Sequence, residues 1–220
     1  METDDIEVAL RVFGGSSNID VEAASKSSIG RRFFDDATSL HQRVNIVWTH
    51  PEMSQKRFRS KVFVDILMAL ECSLKAAIIF SAQLAIESAF AKARKGSHRL
   101  KQLLKTASEQ STAFSSLTQA EVQMINIADD LGVRMRYSMD FFELWFAETP
   151  LEKFTEQGAL SGSIMSNEWI GSFKALLSKI IDLTHGLDKE PMAFTGTQLG
   201  EIADRIDKFF ASLTKKRLPS

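Results

Sequence analysis

At 220 residues the chain is long enough for one substantial core with an appendage, and 27 Lys and Arg against 28 Asp and Glu leave a formal net charge of −1. That balance excludes nucleic-acid binding by bulk charge, so such a role has to rest on a local patch. A single cysteine excludes a disulfide framework and a multi-cysteine metal site, and no apolar run reaches the roughly 18 to 20 residues that span a bilayer.

Residues 1–10 are acidic and lack the positive start and apolar centre of a secretion signal. With the lone cysteine this predicts a soluble, cytoplasmic protein. A short helix is expected over residues 3–13, and GGSSNIDVEAASKSSIG, from Gly14 to Gly30, is small and polar, so residues 1–30 are read as a flexible arm. From Arg31, Phe33, Phe34, Ala37, Leu40, Val44, Val47 and Trp48 fall at helical spacing, and Pro51 stops this first core helix.

Residues 57–105 organise the rest. Phe63, Ile66, Leu67, Leu70, Leu74, Ala77, Ile78, Leu84 and Ala85 form an apolar stripe, with Lys61, Asp65, Glu71 and Lys75 on the polar face. A straight helix of that length would outgrow a compact domain, so a bend or break is expected near Ser81 to Gln83. Gly96 is expected to end the helix in a left-handed conformation and Ser97 to cap the next one, giving an antiparallel hairpin over residues 55–107.

Beyond Lys105, Thr118 and Glu121 make a capping-box pattern for a helix carrying Val122, Ile125, Ile127 and Leu131, which Gly132 ends. Residues 137–146 are aromatic and apolar and predict a buried helix up to Pro150; residues 158–166 read as a link. Residues 169–184 and 198–213 are two further amphipathic helices. About seven helices and no strand alternation predict an all-α fold: a helical bundle over residues 31–146, built on the long hairpin, with residues 147–220 as a C-terminal helical extension packed on it.

Between Lys92 and Lys105 stand Lys92, Arg94, Lys95, Arg99, Lys101 and Lys105, with His98 among them and no acidic residue. A helix start already attracts anions, so a phosphate is favoured at Ser97 to Arg99; a solvated basic face is the plain alternative. Arg134 and Arg136 beside Tyr137, the only tyrosine, form a pattern able to clamp a phosphate and stack on a base, or else flank a buried ring.

LMALECSLKAAI, then GSHRLKQLLKTA, then the Arg136–Tyr137 pair in GVRMRYSMD resemble, in order, three elements of the HEPN (higher eukaryote and prokaryote nucleotide-binding) domain. They are an "LE..LKA" helix, here Leu70, Glu71, Leu74, Lys75 and Ala76; a "gHdL..L" helix start, here Gly96, His98, Leu100, Leu103 and Leu104; and an "RY" element. The resemblance covers about half of the chain, residues 55–146. Arg99 stands where the family often has Asp, which makes the corner more basic. The resemblance implies a nucleotide- or RNA-phosphate-binding protein of bacterial defence or toxin–antitoxin systems, with Lys75, His98, Arg99, Arg134, Arg136 and Tyr137 as ligand contacts.

Many RNA-cutting members of that family carry an Arg, four to six residues and then a His. Arg43 and His50 have the spacing, but Val44 follows the arginine where a polar residue is usual, so no ribonuclease site is assigned. There is no P-loop, no GxGxxG after a strand, no HExxH, and His41, His50, His98 and His185 lack paired metal spacing; no cofactor or metal is expected. The competing reading is a non-catalytic helical interaction module that meets a protein partner, or a second copy of itself, through FFELWF or the C-terminal helices.

Overall fold

The computed structural model describes residues 20–54, 56–131, 166–189 and 194–215, and every regular element among them is helical. Helix α1 spans Val21–Trp48, α2 Lys56–Ser81, α3 Ile86–Lys95, α4 Leu100–Gln110, α5 Gln119–Leu131, α6 Asn167–His185 and α7 Gly196–Lys215. Short 3₁₀ turns at Pro51–Ser54 and Thr112–Ser116 join the first two and the fourth to the fifth. No described helix is long and apolar enough to cross a membrane.

Helix α2 is the axis. α1, α3, α4 and α6 all pack on it, and four consecutive residues, Ala76 to Ile79, are fully buried. A helix facing the core along a single stripe would leave one of the four exposed. Directions follow from cross-helix pairs. Arg43 meets Asp65 while Lys26 donates to the Ala82 carbonyl, so α1 is antiparallel to α2. Phe63 packs on Trp169 and Phe173 (ring centroids 4.7 and 5.1 Å apart), and the Ser73 hydroxyl donates to Thr184 Oγ1 at 2.9 Å, so α6 is parallel to α2. α7 closes the other side: the Ser25 hydroxyl donates to the Ile202 carbonyl, and Phe209 meets Phe90 edge-on.

Several expectations are met locally. The long helix breaks at Ser81, and Thr118 and Glu121 exchange the two bonds of a capping box, at 2.7 and 3.2 Å. Lys179 of α6 then grips Glu121 at 2.8 Å.

Others are corrected. The arm does not extend to residue 30: Asp20 accepts the Ala23 N–H at 3.1 Å and starts α1 at Val21. Residues 21–30 are small because the face is closely packed. Ala24, Ser25, Ser27, Ile29 and Gly30 are buried there, and a Cβ on Gly30 would stand 2.5 Å from the Phe80 ring. Leu84 and Ala85 leave the apolar stripe because they fall in the link after the break. Gly96 is right-handed (φ −65°), while Ser97 takes the left-handed conformation (φ 49°). The glycine serves packing instead, since a Cβ there would lie 2.5 Å from Leu103 Cδ2. Ser97 is therefore no cap; Arg99 precedes α4, with no side-chain capping bond. The antiparallel hairpin is α2 with α3 alone. α4 turns back and runs parallel to α2, with His98 beside Glu71 at its start and Gln110 beside the end of α2 at its close.

The expected helix over residues 3–13, the aromatic segment 137–146 and the link at 158–165 lie outside the described residues.

Candidate functional site

The corner forms where the α3–α4 turn crosses the middle of α2. Glu71 and Lys75 lie one turn apart on α2, as an i,i+4 pair must. Their face is not solvent, because the turn covers it: each side chain is only 12% exposed. Lys75 Nζ donates to Glu71 Oε1 at 2.5 Å, and His98 Nδ1 lies 2.9 and 3.0 Å from the two oxygens of the same carboxylate. One carboxylate thus gathers a lysine from the central helix and a histidine from the turn 23 residues later.

The arrangement sets the roles of the atoms. An ionised carboxylate only accepts, so the imidazole carries a proton on Nδ1, which leaves Nε2 as an acceptor in the neutral ring and a donor in the imidazolium. Lys75 retains two further N–H donors after the one it gives to Glu71. His98 is half exposed, which keeps the corner open to solvent. The left-handed Ser97 matters here. It turns the chain so sharply that the residue after it can face back onto α2 while Arg99 N–H closes the turn on the Gly96 carbonyl at 2.8 Å.

Arg99 points to the neighbouring helix, its Nε 3.7 Å from Asp129 Oδ2 on α5. Asp129 is nearly buried, and its Oδ1 has no hydrogen-bond partner among the described residues. Lys92, Arg94, Lys95 and Lys101 are exposed around the corner, with Arg94 lying over the Phe90 ring at 5.8 Å and Lys105 reaching Glu109 at 4.0 Å.

Cys72, next to Glu71, sits where its thiolate is disfavoured. Burial first, then the charges of Glu71 and Asp36, push its thiol up to about 11, against the pull of Lys75. Arg43 holds the Asp65 carboxylate through Nε and Nη2, and His50 Nδ1 accepts the Glu52 N–H at 3.3 Å, so the two side chains are each turned to a different partner. Among the described residues no group of His, Cys, Asp and Glu could hold a metal ion.

Of the residues singled out from sequence, Lys75 and His98 come together on Glu71, and Arg99 stands at the rim. Arg134, Arg136 and Tyr137 lie outside the described residues. Asp129 is the residue sequence reasoning missed. Its signal was available: it follows Ile125 by four, on the face the apolar residues bury, and a polar residue there is informative. Compared with protein-family models, curated proteins and solved structures, the chain finds no significant match.

Proposed function

We propose that this is a HEPN-like protein whose basic corner binds the phosphate of a nucleotide or an RNA. The observation that carries the reading is the shared carboxylate: two of the three sequence elements that resemble the family, 23 residues apart, meet on Glu71 with Lys75 N–H groups and His98 Nε2 left over. The Lys75 ammonium can donate to a phosphate oxygen, and His98 Nε2 can do so as an N–H when the ring is an imidazolium. The exposed cations Lys92, Arg94, Lys95 and Lys101 supply the surrounding field. The setting of a bacterial defence or toxin–antitoxin system rests on the resemblance alone.

The test is fluorescence anisotropy of a labelled single-stranded RNA, and of a labelled ATP analogue, at low salt. Wild type binds one of them, and Lys75→Ala or His98→Ala each weaken it by about 1.5 to 3 kcal/mol, on the order of tenfold to a hundredfold. Failure of the wild-type protein to bind either probe would end the reading.

A further inference from the structure

The geometry of the corner carries a proton requirement. His98 Nδ1 lies 3.0 and 2.9 Å from the two oxygens of Glu71, so one edge of the ring is held against an anion. Nε2 is on the opposite edge, and half of the side chain is exposed. A phosphate at Nε2 therefore sets the imidazole between two anions. A neutral ring has one N–H and one lone pair, and it can serve only one of them. With the proton on Nδ1 it pairs with Glu71 and turns its lone pair toward the phosphate. With the proton on Nε2 it pairs with the phosphate and turns the lone pair toward the carboxylate. Only the imidazolium donates to both.

The surrounding charges act in the same direction. On α2, Glu71 and Lys75 form an ion pair at 2.5 Å that carries no net charge. Lys95 at the end of α3 and Lys101 in the first turn of α4 are exposed on either side of the turn. Arg99 leans toward Asp129 of α5, Nε to Oδ2 3.7 Å, and from α1 Asp36 is near enough to act on the Cys72 thiol beside Glu71. Ammonium, guanidinium and carboxylate groups ordinarily hold one charge between about pH 5 and 8, and imidazole is the side chain that changes there. Protonation of His98 takes the group of Glu71, Lys75 and His98 from no net charge to one positive charge. A bound phosphate returns the effect, since a second anion beside the ring favours its charged form, and the coupling is reciprocal.

We infer that phosphate binding at this corner is coupled to the uptake of a proton by His98, so that the corner gains affinity as pH falls and loses it as pH rises. The proton comes from solvent and completes the second N–H of the ring. The inference rests on the phosphate-binding reading and adds to it the state of the ring in which the ligand is held.

The probes are a labelled oligouridine RNA and a labelled ATP analogue, followed by fluorescence anisotropy at constant low ionic strength from about pH 5.5 to 8. RNA phosphodiesters keep their charge across this range. The terminal phosphate of the nucleotide titrates near about pH 6, and comparison with His98→Gln removes that share. Wild type loses up to about tenfold in affinity per pH unit where the ring gives up its proton. His98→Gln, whose amide can still donate to Glu71, binds RNA weakly and with a flat profile. His41→Gln, away from the corner beside Ser178, keeps the wild-type slope. Nitrogen NMR of the wild-type His98 ring gives a readout that needs no variant to fold: at about pH 7 a saturating ligand raises the imidazolium fraction. Parallel profiles in wild type and His98→Gln, or a ring whose protonation does not change on saturation, overturn the inference and leave the phosphate site standing. Failure of both probes to bind at any pH removes the phosphate site itself, and the inference with it.

Discussion

Removing Glu71 isolates the contribution of the corner to the fold. Glu71→Ala leaves Lys75, only 12% exposed, beside a hydrophobic axis with no carboxylate. Breaking a fully buried pair by deleting one partner costs about 3 to 5 kcal/mol, mostly for the stranded charge. Here His98 is half exposed and a four-carbon stem lets the ammonium move toward water, so the expected cost is about 2 kcal/mol. With a urea slope of about 2 kcal/mol per molar, the unfolding midpoint falls by about 1 M at an unchanged slope. The mechanism has its own signature. Lys75→Met in the Glu71→Ala background removes the stranded ammonium and restores more than half of the loss, whereas Lys75→Met alone, which strands the carboxylate, is itself destabilising. The assay is urea denaturation of the four proteins of this cycle. If the two single losses simply add in the double variant, Glu71 and Lys75 are not energetically coupled and the carboxylate does not organise the corner.

Leu70 is fully buried on α2, so Leu70→Asp places a charge among apolar neighbours and should cost about 4 kcal/mol or more; an unchanged melting temperature would remove α2 as the axis. Changing Arg94, Lys95, Arg99 and Lys101 to Gln should preserve the helical circular-dichroism signal but flatten the salt dependence of RNA binding; equal slopes in both proteins would show that the cations do not contact phosphate. His41 sits below its ordinary value of 6.5, chiefly through burial, then through Lys174, against Asp182, with Nε2 3.0 Å from the Ser178 hydroxyl. The unfolded chain then takes up that proton first, so His41 costs stability as pH falls through and below 6.5; His41→Gln should flatten stability against pH in that window, and superimposable curves would contradict it.

Periodicity made the helices legible because each buries a stripe at a fixed angular spacing, and local chemistry made the Thr118–Glu121 box legible because both partners lie within one turn. The features that escaped depend on what comes from elsewhere in the chain. Small polar residues over 21–30 signal a loop in isolation; only the Phe80 ring, fifty residues on, makes Gly30 a packing residue. Gly96 carries the usual helix-end signal, yet Leu103 claims its missing Cβ and passes the left-handed turn to Ser97. The polar face of α2 reads as solvent-facing from its own sequence, and it is the return of the chain at His98 that buries Glu71. Arg99 and Asp129 lie thirty residues apart and share no local pattern at all.

Two polar residues buried on α2, Glu71 and Ser73, are each met by a different neighbour: the α3–α4 turn through His98, and α6 through Thr184. Apolar surfaces can slide by a turn at modest cost, but a buried hydroxyl or carboxylate finds its partner in one register only, so these two contacts fix where the surrounding layers sit along the axis. That bears on how an anion would bind. A phosphate at the corner competes with Glu71 for the same cations, and displacing the carboxylate would undo the register that holds His98 in place. On the proposed reading a phosphate would therefore share Lys75 and His98 with Glu71 rather than replace it, and its negative charge would be met from outside the pair, by the exposed cations of α3 and of the first turn of α4.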